Sequence, residues 1–561
     1  MVRRWKGDES VDYAVISQGI IAAAREMGAK LIRSAYSTIV REAQDASAAL
    51  LDRDGNVIAQ AELIPMQLGP MKMTFGPCAA THPVDSLEPG DFYITNDPFN
   101  GGQHLPDVFI FSPVFFDGRI IGFGASVAHH LDLGGGAPGL NADASDIYQE
   151  GLQIPPSCYN MERDWNGGRF ERLVAANIRV PQLTIGDFNA QFAANAIGGL
   201  RLRELATKFG PETVIETMAE LLDYSERRVR ASIATIPDGS YEGEDAVDDD
   251  GIDDRPLPVK AQVTVEGDHL DISFEGTSPQ VARNLNCPFS STVSAALACV
   301  KSVLTSADVP FNEGVKRPFN ITAPYGSLLN PKPPAPVRAR MEPAYRVFNA
   351  VMKALAAAAP ERVIACGFDT TVVFALSHLS NSGYRVYVEI FGGGYGASSE
   401  ADGCDAIDSP LSNCSNTPVE ALDMEYDYFR VIDYTLLSDS AGAGRCRGGL
   451  GFTRAYEITR DDVIFAIYAD RFRIAPAGLF GGGDGVPGSC HVLRDGEVIP
   501  VNSKAGMTLQ RGDVLAVHTG GGGGYGTPGD RSLEAIRHDL AEGLATPGRV
   551  AVDYPHAHAS P

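Results

Sequence analysis

Two short stretches hold most of the residues that could do chemistry. GGQHLPDV, at 101–108, puts His104 and Asp107 three residues apart. AHHLDLGGG, starting at 128, adds His129, His130 and Asp132. The chain has only 11 histidines, so three of them beside two aspartates within 29 residues is a concentration. Neutral imidazole nitrogen and carboxylate oxygen are ligands for divalent ions such as Zn²⁺, Mn²⁺ or Fe²⁺. An ion held with one open position lowers the pKa of bound water or polarises a carbonyl. The competing reading is structural: His104 caps a turn and His129 is a satisfied histidine at a strand end.

The sequence between the two stretches brings them together. FIFSPVFF and RIIGFGASV are β-rich runs joined by Asp117-Gly118, a strong two-residue hairpin signal. With the turn at 117–118, cross-strand partners sum to 235, so Asp107 faces Ala128 and His104 faces Leu131. Opposed Cβ atoms are about 5 Å apart, so both motifs lie at the open end of one hairpin. In this register His129 points to the other face from Asp107. A bulge, or a non-strand start at Leu105-Pro106, would restore a common face, and Pro113, Gly122 and Gly124 favour such irregularity. His130 and Asp132 are candidates for orienting a ligand residue.

The elements that must position these residues are legible in outline. Residues 11–42 read as one long helix, or two broken near Gly28, leading past Asp45 into a hairpin around Asp-Arg-Asp-Gly. Residues 172–235 read as helices interrupted at ANIRVPQ, and 287–304 and 342–358 as two more, separated by the Pro-rich NPKPPAPVRARMEP. From 385 the chain is rich in strands and glycine, with FGGGYGA, LFGGGDG and HTGGGGGYG. These runs are either tight backbone packing or loops facing substrate or another subunit. The expected fold class is α+β, multi-domain, with mixed helices and antiparallel-rich sheets joined by Gly-rich loops. Expected units are 1–238 (metal-binding), 239–384 (α/β), 385–532 (strand- and glycine-rich) and 533–561 (a helix and a frayed tail carrying His556 and His558).

Composition excludes several classes. The 561 residues are 44% hydrophobic and 21% charged, with a net charge of −25. An acidic surface argues against nucleic acid and anionic membrane. No apolar run reaches the roughly 18 residues of a spanning helix, and MVRRWKGDES has no apolar stretch behind its basic residues. Nine scattered cysteines without a CxxC fit a reducing cytoplasm. The acidic run at 244–254 fails as an EF-hand, because Ala246 and Leu257 stand where acids are needed, and reads as a solvated turn. There is no GxxxxGK[ST] phosphate loop, no GxSxG and no HExxH.

The ordered set REAQDASAALLDRDG, ITNDPFNGGQHLPDV, AHHLDLGG with EGLQIPP, DVPFNEGVKRPFNI, DSAGAGRCRGGLG and GGGGGYGTPGDR resembles the hydantoinase B / oxoprolinase family. These are B-type subunits of N-methylhydantoinase-like, ATP-dependent cyclic amidases, related to an acetone carboxylase subunit. The resemblance runs from about residue 9 to about 532. It implies four metal ligands: Asp45, His104, Asp107 and His129, the last chosen over His130 by its spacing. It also implies a divalent metal (Zn, Mn or Fe) and an A-type partner subunit that binds ATP with Mg and phosphorylates the substrate.

The expected function is that of a cytoplasmic, metal-dependent subunit opening a hydantoin, 5-oxoproline or lactam ring in a hetero-oligomer. Metal-bound water is the expected nucleophile. One alternative is a subunit of an ATP-dependent ketone carboxylase, whose corresponding chain is longer. The other is a non-catalytic scaffold with a structural metal.

Overall fold

The computed structural model describes residues 8–558 except 62, 68 and 307. It opens with a long helix, α1 (Asp8–Ser34), that continues unbroken through Gly28, followed by the single turn α2 (Thr38–Arg41). Glycine at 28 allows close packing: a Cβ there would lie 2.6 Å from Ala61 Cβ.

The first sheet is built from β1 (Ala46–Leu51), β2 (Val57–Gln60), β3 (Asp91–Thr95), β4 (Asp107–Phe116), β5 (Arg119–His129) and β6 (Ser157–Asn160), with α3 (Met71–Thr81) inserted before β3. Its order is β2-β1-β5-β4-β3-β6, antiparallel throughout. Helices α4 (Arg169–Asn177), α5 (Pro181–Phe209) and α6 (Pro211–Ile233) follow. Both faces of the sheet are covered, and period-two alternation sorts the residues. Ala46, Ala48 and Leu50 share a core with α1 residues such as Ile20 and Met27. Ala49 and Leu51 face the other way with Phe109, Phe111, Phe123 and Val127, against Phe75 of α3.

The second sheet contains β7 (Gly239–Val247), β8 (Leu257–Glu266), β9 (His269–Ser273) and β10 (Phe319–Thr322), with α7 (Phe289–Leu304) and α8 (Glu313–Lys316) between the last two strands. Leu257, Val259, Ala261, Val263 and Val265 of β8 all turn inward. They join the core containing α7 and the buried helix α9 (Met341–Ala356). The acidic run is not a solvated turn throughout. Asp245 is buried against Arg471 at 2.6 Å, and buried Asp248 accepts the backbone N–H groups of Phe472, Arg473 and Ile474.

The remaining strands form two antiparallel sheets. They are β11 (Val372–Ser380), β12 (Gly383–Phe391), then after α10 (Val419–Glu425) β13 (Phe429–Leu436), β14 (Phe452–Ile458), β15 (Val463–Tyr468), β16 (Ser489–Arg494), β17 (Glu497–Val501), β18 (Lys504–Leu509) and β19 (Val514–His518). One has order β12-β11-β15-β18, the other β13-β14-β19-β16-β17. They share an aromatic core that includes Phe374, Phe391 and Phe465 from the first and Phe429, Phe452 and Tyr456 from the second. The glycine runs are close backbone packing. Gly394 N–H donates to Gly520 O at 2.9 Å and Gly522 N–H to Gly449 O at 2.9 Å. A Cβ on Gly394 would lie 1.9 Å from Gly449 O, so a side chain cannot fit. Among the described residues every β-ladder is antiparallel except β9–β10, and the fold class is α+β and multi-domain, as expected.

The chain ends in α11 (Leu533–Ala541), α12 (Pro547–Asp553) and a 3-10 turn, Pro555–His558. This is more structure than the frayed tail expected: Tyr554 is buried and His556 Nε2 donates to Arg531 O at 2.9 Å. The His558 side chain and residues 559–561 lie outside the described residues. No helix among those described is long and apolar enough to cross a membrane.

Candidate metal centre

The β4–β5 hairpin has the turn at Asp117-Gly118, both with positive φ (47° and 78°). Its register starts as the sequence suggests, with Phe116 opposite Arg119 and Phe115 opposite Ile120. Ile121 is then extra: Val114 pairs with Gly122. This one-residue bulge moves the sum from 235 to 236 and sets Asp107 directly opposite His129. The other side of β5 carries β1, where Ala46 pairs with Ala128, and one step further His129 N–H donates to Asp45 O at 3.0 Å. Asp45, His129 and Asp107 therefore form one row across three adjacent strands. All three continue the face occupied earlier by Ala49, Val127 and Phe109. The residue before Asp45, Gln44, has φ 63°, which turns the chain sharply out of α2 into β1.

His104 reaches the row from a turn. Asp107 N–H donates to His104 O at 3.1 Å. The turn is held by Asn96, whose Nδ2 donates to Leu105 O at 2.7 Å and to Leu152 O at 2.9 Å. Gln103 Nε2 ties the same segment to Met66 O at 2.8 Å.

Three of the four side chains, His104, Asp107 and His129, lie close enough together to share an ion, and Asp45 adjoins them through His129. His104 Nδ1 lies 3.0 Å from Asp107 Oδ2. His129 Nδ1 lies 3.2 Å from Asp45 Oδ2 and 3.9 Å from Asp107 Oδ1. The imidazole rings are 4.9 Å apart between centroids, at 70°. None of the four is more than 7% exposed. Burial, then the nearby Arg340 and His129, hold His104 well below the usual imidazole range, so its ring is neutral and keeps a lone pair. Three buried atoms have no hydrogen-bond partner: His104 Nδ1, Asp107 Oδ1 and His129 Nε2. Such atoms are costly to leave unpaired. His104 Nδ1 is close to a carboxylate oxygen yet not directed for an N–H···O bond. That pattern fits an imidazole and a carboxylate facing a shared cation.

Residues not marked by spacing hold the two carboxylates. Gln67 Nε2, on the 3-10 turn Pro65–Gln67, donates to Asp45 Oδ1 at 2.8 Å. Arg340 Nη2 donates to Asp107 Oδ2 at 2.6 Å. Arg340 sits just before α9, in the stretch RARMEP that the sequence shows only as part of a Pro-rich connection. That stretch is clamped by Glu150, whose carboxylate accepts the N–H groups of Val337 at 3.0 Å and Arg338 at 2.9 Å. His130 and Asp132 make their side-chain hydrogen bonds elsewhere. His130 Nε2 pairs with Gln191 Oε1 at 3.0 Å and its ring stacks on Phe188. Asp132 accepts from Arg179 N at 2.7 Å and Nη1 at 2.8 Å.

Asp45, His104 and His129 line a cavity of about 40 Å³ with Arg338, Arg340 and Glu342, closed by apolar side chains such as Met66 and Ile390. This is small beside the several hundred Å³ usual for an organic ligand, so admitting a ring requires a wall to move. Glu342 is fully buried and accepts a hydrogen bond from Thr370. Burial, reinforced by Asp470, pushes its carboxyl up to about 8, so it holds a proton at neutral pH.

Residues 9–528 match the family model for hydantoinase B/oxoprolinase. The chain belongs to that family. A putative D-/L-hydantoinase B-type subunit of Pseudomonas sp. (strain NS671) is 35% identical over 572 residues, covering 97% of this chain and 95% of the relative. The beta subunit of the Pseudomonas jessenii caprolactamase is 30% identical, covering 97% and 96%. The crystal structure of the ATP-dependent caprolactamase from that organism superimposes with a TM-score of 0.90 at 29% identity, covering 97% of this chain and 96% of the other. A nucleotide-free acetone carboxylase structure superimposes with a TM-score of 0.85 at 17% identity, covering 98% and 79%, which is a likeness of fold alone.

Proposed function

We propose that this chain is the metal-dependent subunit of an ATP-dependent cyclic-amide hydrolase that opens a hydantoin, 5-oxoproline or lactam ring. The observation that carries the reading is the row Asp45–His129–Asp107 completed by His104, with its unpartnered buried ligand atoms. Family membership and the relatives' names support the reaction class. The sequence has no phosphate loop of its own, and ATP with Mg is assigned to an A-type partner subunit in a cytoplasmic hetero-oligomer. Nine unpaired cysteines support the cytoplasm.

The four ligands are Asp45, His104, Asp107 and His129, a donor set that suits Zn²⁺, Mn²⁺ or Fe²⁺. When bound, the ion would supply Lewis acidity toward the substrate carbon and lower the pKa of water there. The chain's own residues do the rest. Arg340 and Gln67 fix the two carboxylates, and burial keeps His104 neutral. Glu342 lines the same cavity, and burial raises its carboxyl, which makes it the proton donor we assign to the departing ring nitrogen. An unstrained five-membered amide is a poor electrophile, which is why the partner first moves a phosphoryl group from ATP to the carbonyl oxygen. Two waters are then consumed: one opens the ring at that carbon, the other releases phosphate.

The test is phosphate release by this chain co-purified with its A-type partner, over a panel of hydantoins, 5-oxoproline and lactams with added metal. Ring-dependent release without bicarbonate is the expected result. Release only with a ketone and bicarbonate would move the chain to carboxylation. No release with any ring would overturn the assignment.

A further inference from the structure

The buried arginines among the described residues are paired with carboxylates. Arg340 is on Asp107, Arg346 and Arg471 on Asp245, Arg454 on Glu389, and Arg531 on Asp402 and Asp539. Arg338, partly buried, is different. It lines the cavity beside His104 and His129, and among the described residues no carboxylate lies within ion-pair distance of it. The side chain's hydrogen bond is from Nη2 to Gly139 O at 2.5 Å, which leaves the rest of the guanidinium fork uncommitted. The acids nearest in charge are already engaged: Glu150 by the backbone of 337–338 and Asp132 by Arg179. Two residues on, Arg340 Nε is also buried without a partner.

The charges decide what this wall accepts. Arg338 and Arg340 set two guanidinium groups on the same cavity wall as Asp45, His104 and His129. A divalent ion on the four ligand candidates would add to that positive charge. A phosphoryl dianion brings two negative charges where a carboxylate brings one, and it suits the bidentate guanidinium fork.

The geometry points to Arg338 as the residue that receives the phosphoryl dianion of the activated substrate, beside the metal-ligand cluster. This rests on the reading that the substrate arrives phosphorylated, and it makes Arg338 a determinant of which intermediates are accepted. It predicts that the full-length chain binds orthophosphate without a ring, ATP or a partner.

The experiment is calorimetric titration of the metal-containing chain with orthophosphate and, separately, with acetate. One phosphate per chain is expected, bound at least tenfold more tightly than acetate. Arg338→Met should weaken phosphate at least tenfold, and Arg338→Lys by less, because the charge stays and the fork is lost. Metal content and melting temperature of Arg338→Lys should match the parent, which separates ligand recognition from folding. Equal phosphate affinity in Arg338→Met, acetate binding as tight as phosphate, or no phosphate binding by the parent would each overturn the proposal. The outcomes are separable from the amidase reading. Phosphate binding lost in Arg338→Met stands even if no ring is hydrolysed, and ring-dependent phosphate release stands even if Arg338→Met binds phosphate normally.

Discussion

Replacing Asp107 by alanine should cost more stability than a ligand deletion alone would suggest. Its carboxylate is fully buried and accepts from Arg340 Nη2 at 2.6 Å, and Arg340 is itself only 5% exposed. At an effective dielectric of about 20, a pair at this distance attracts by roughly 6 kcal/mol before the cost of removing both charges from water. Deleting one partner of such a pair costs about 3–5 kcal/mol, because the other charge stays buried and uncompensated. Arg340 Nε already lacks a partner, so the guanidinium has no alternative acceptor at hand. The metal-free Asp107→Ala chain should therefore lose about 3–5 kcal/mol. The double variant Asp107→Ala with Arg340→Met should recover most of it, since both charges are then gone. Urea unfolding followed through Trp165, buried in the neighbouring aromatic cluster, reads both. A single-variant loss below about 1 kcal/mol, within the range of an exposed pair, or a double variant no better than the single, would refute the pairing argument. A practical consequence is that Asp107→Asn, which can still accept from Arg340, is the cleaner probe of activity.

Gln67→Leu should leave the fold intact and weaken metal binding about 10–100-fold, the usual effect of losing a residue that orients a ligand, measured by competition with a chelator. Glu342 adds a pH dependence of definite sign. Its folded pKa of about 8 lies above the ordinary 4.5, so the native state holds the extra proton between these values and stability falls as pH rises through that window. Glu342→Gln should remove a slope of up to about 1.4 kcal/mol per pH unit from denaturation measured between pH 5 and 8, and equal slopes in the two proteins would contradict the assignment. Gly394→Ala puts a Cβ 1.9 Å from Gly449 O and should lower the melting temperature while metal content is unchanged, overpacking costing roughly 1–3 kcal/mol or more.

The hairpin, its turn and the meeting of its two ends were legible because Asp-Gly and β-rich alternation are local signals. The register was not, because the extra residue is Ile121, a good strand former with nothing in its type to mark a bulge. Asp45 was legible only through the family resemblance. Its place opposite His129 comes from β1 pairing with β5, a long-range contact that no local pattern encodes. Arg338, Arg340 and Glu342 come from a segment more than 200 residues from the hairpin, and Gln67 from a 3-10 turn 22 residues past Asp45, and no local pattern aims either at the cluster. His130 and Asp132 show the converse: adjacency in sequence to a ligand candidate did not bring a hydrogen bond to it, because alternation sends His130 to Gln191 on the opposite face. The acidic residues at 245 and 248 looked solvated because their partners, such as Arg471 and the backbone of 472–474, lie more than 200 residues away.

The most direct test is anomalous diffraction from crystals of the full-length chain, recorded at the absorption edge of whichever metal it retains on purification. The expected result is one peak per chain, within roughly 2.0–2.3 Å of a nitrogen from each of His104 and His129 and an oxygen from each of Asp45 and Asp107. No peak between these four side chains, or a peak only at the other cluster of metal-ligating types, His82, Asp91 and Cys158, would contradict it.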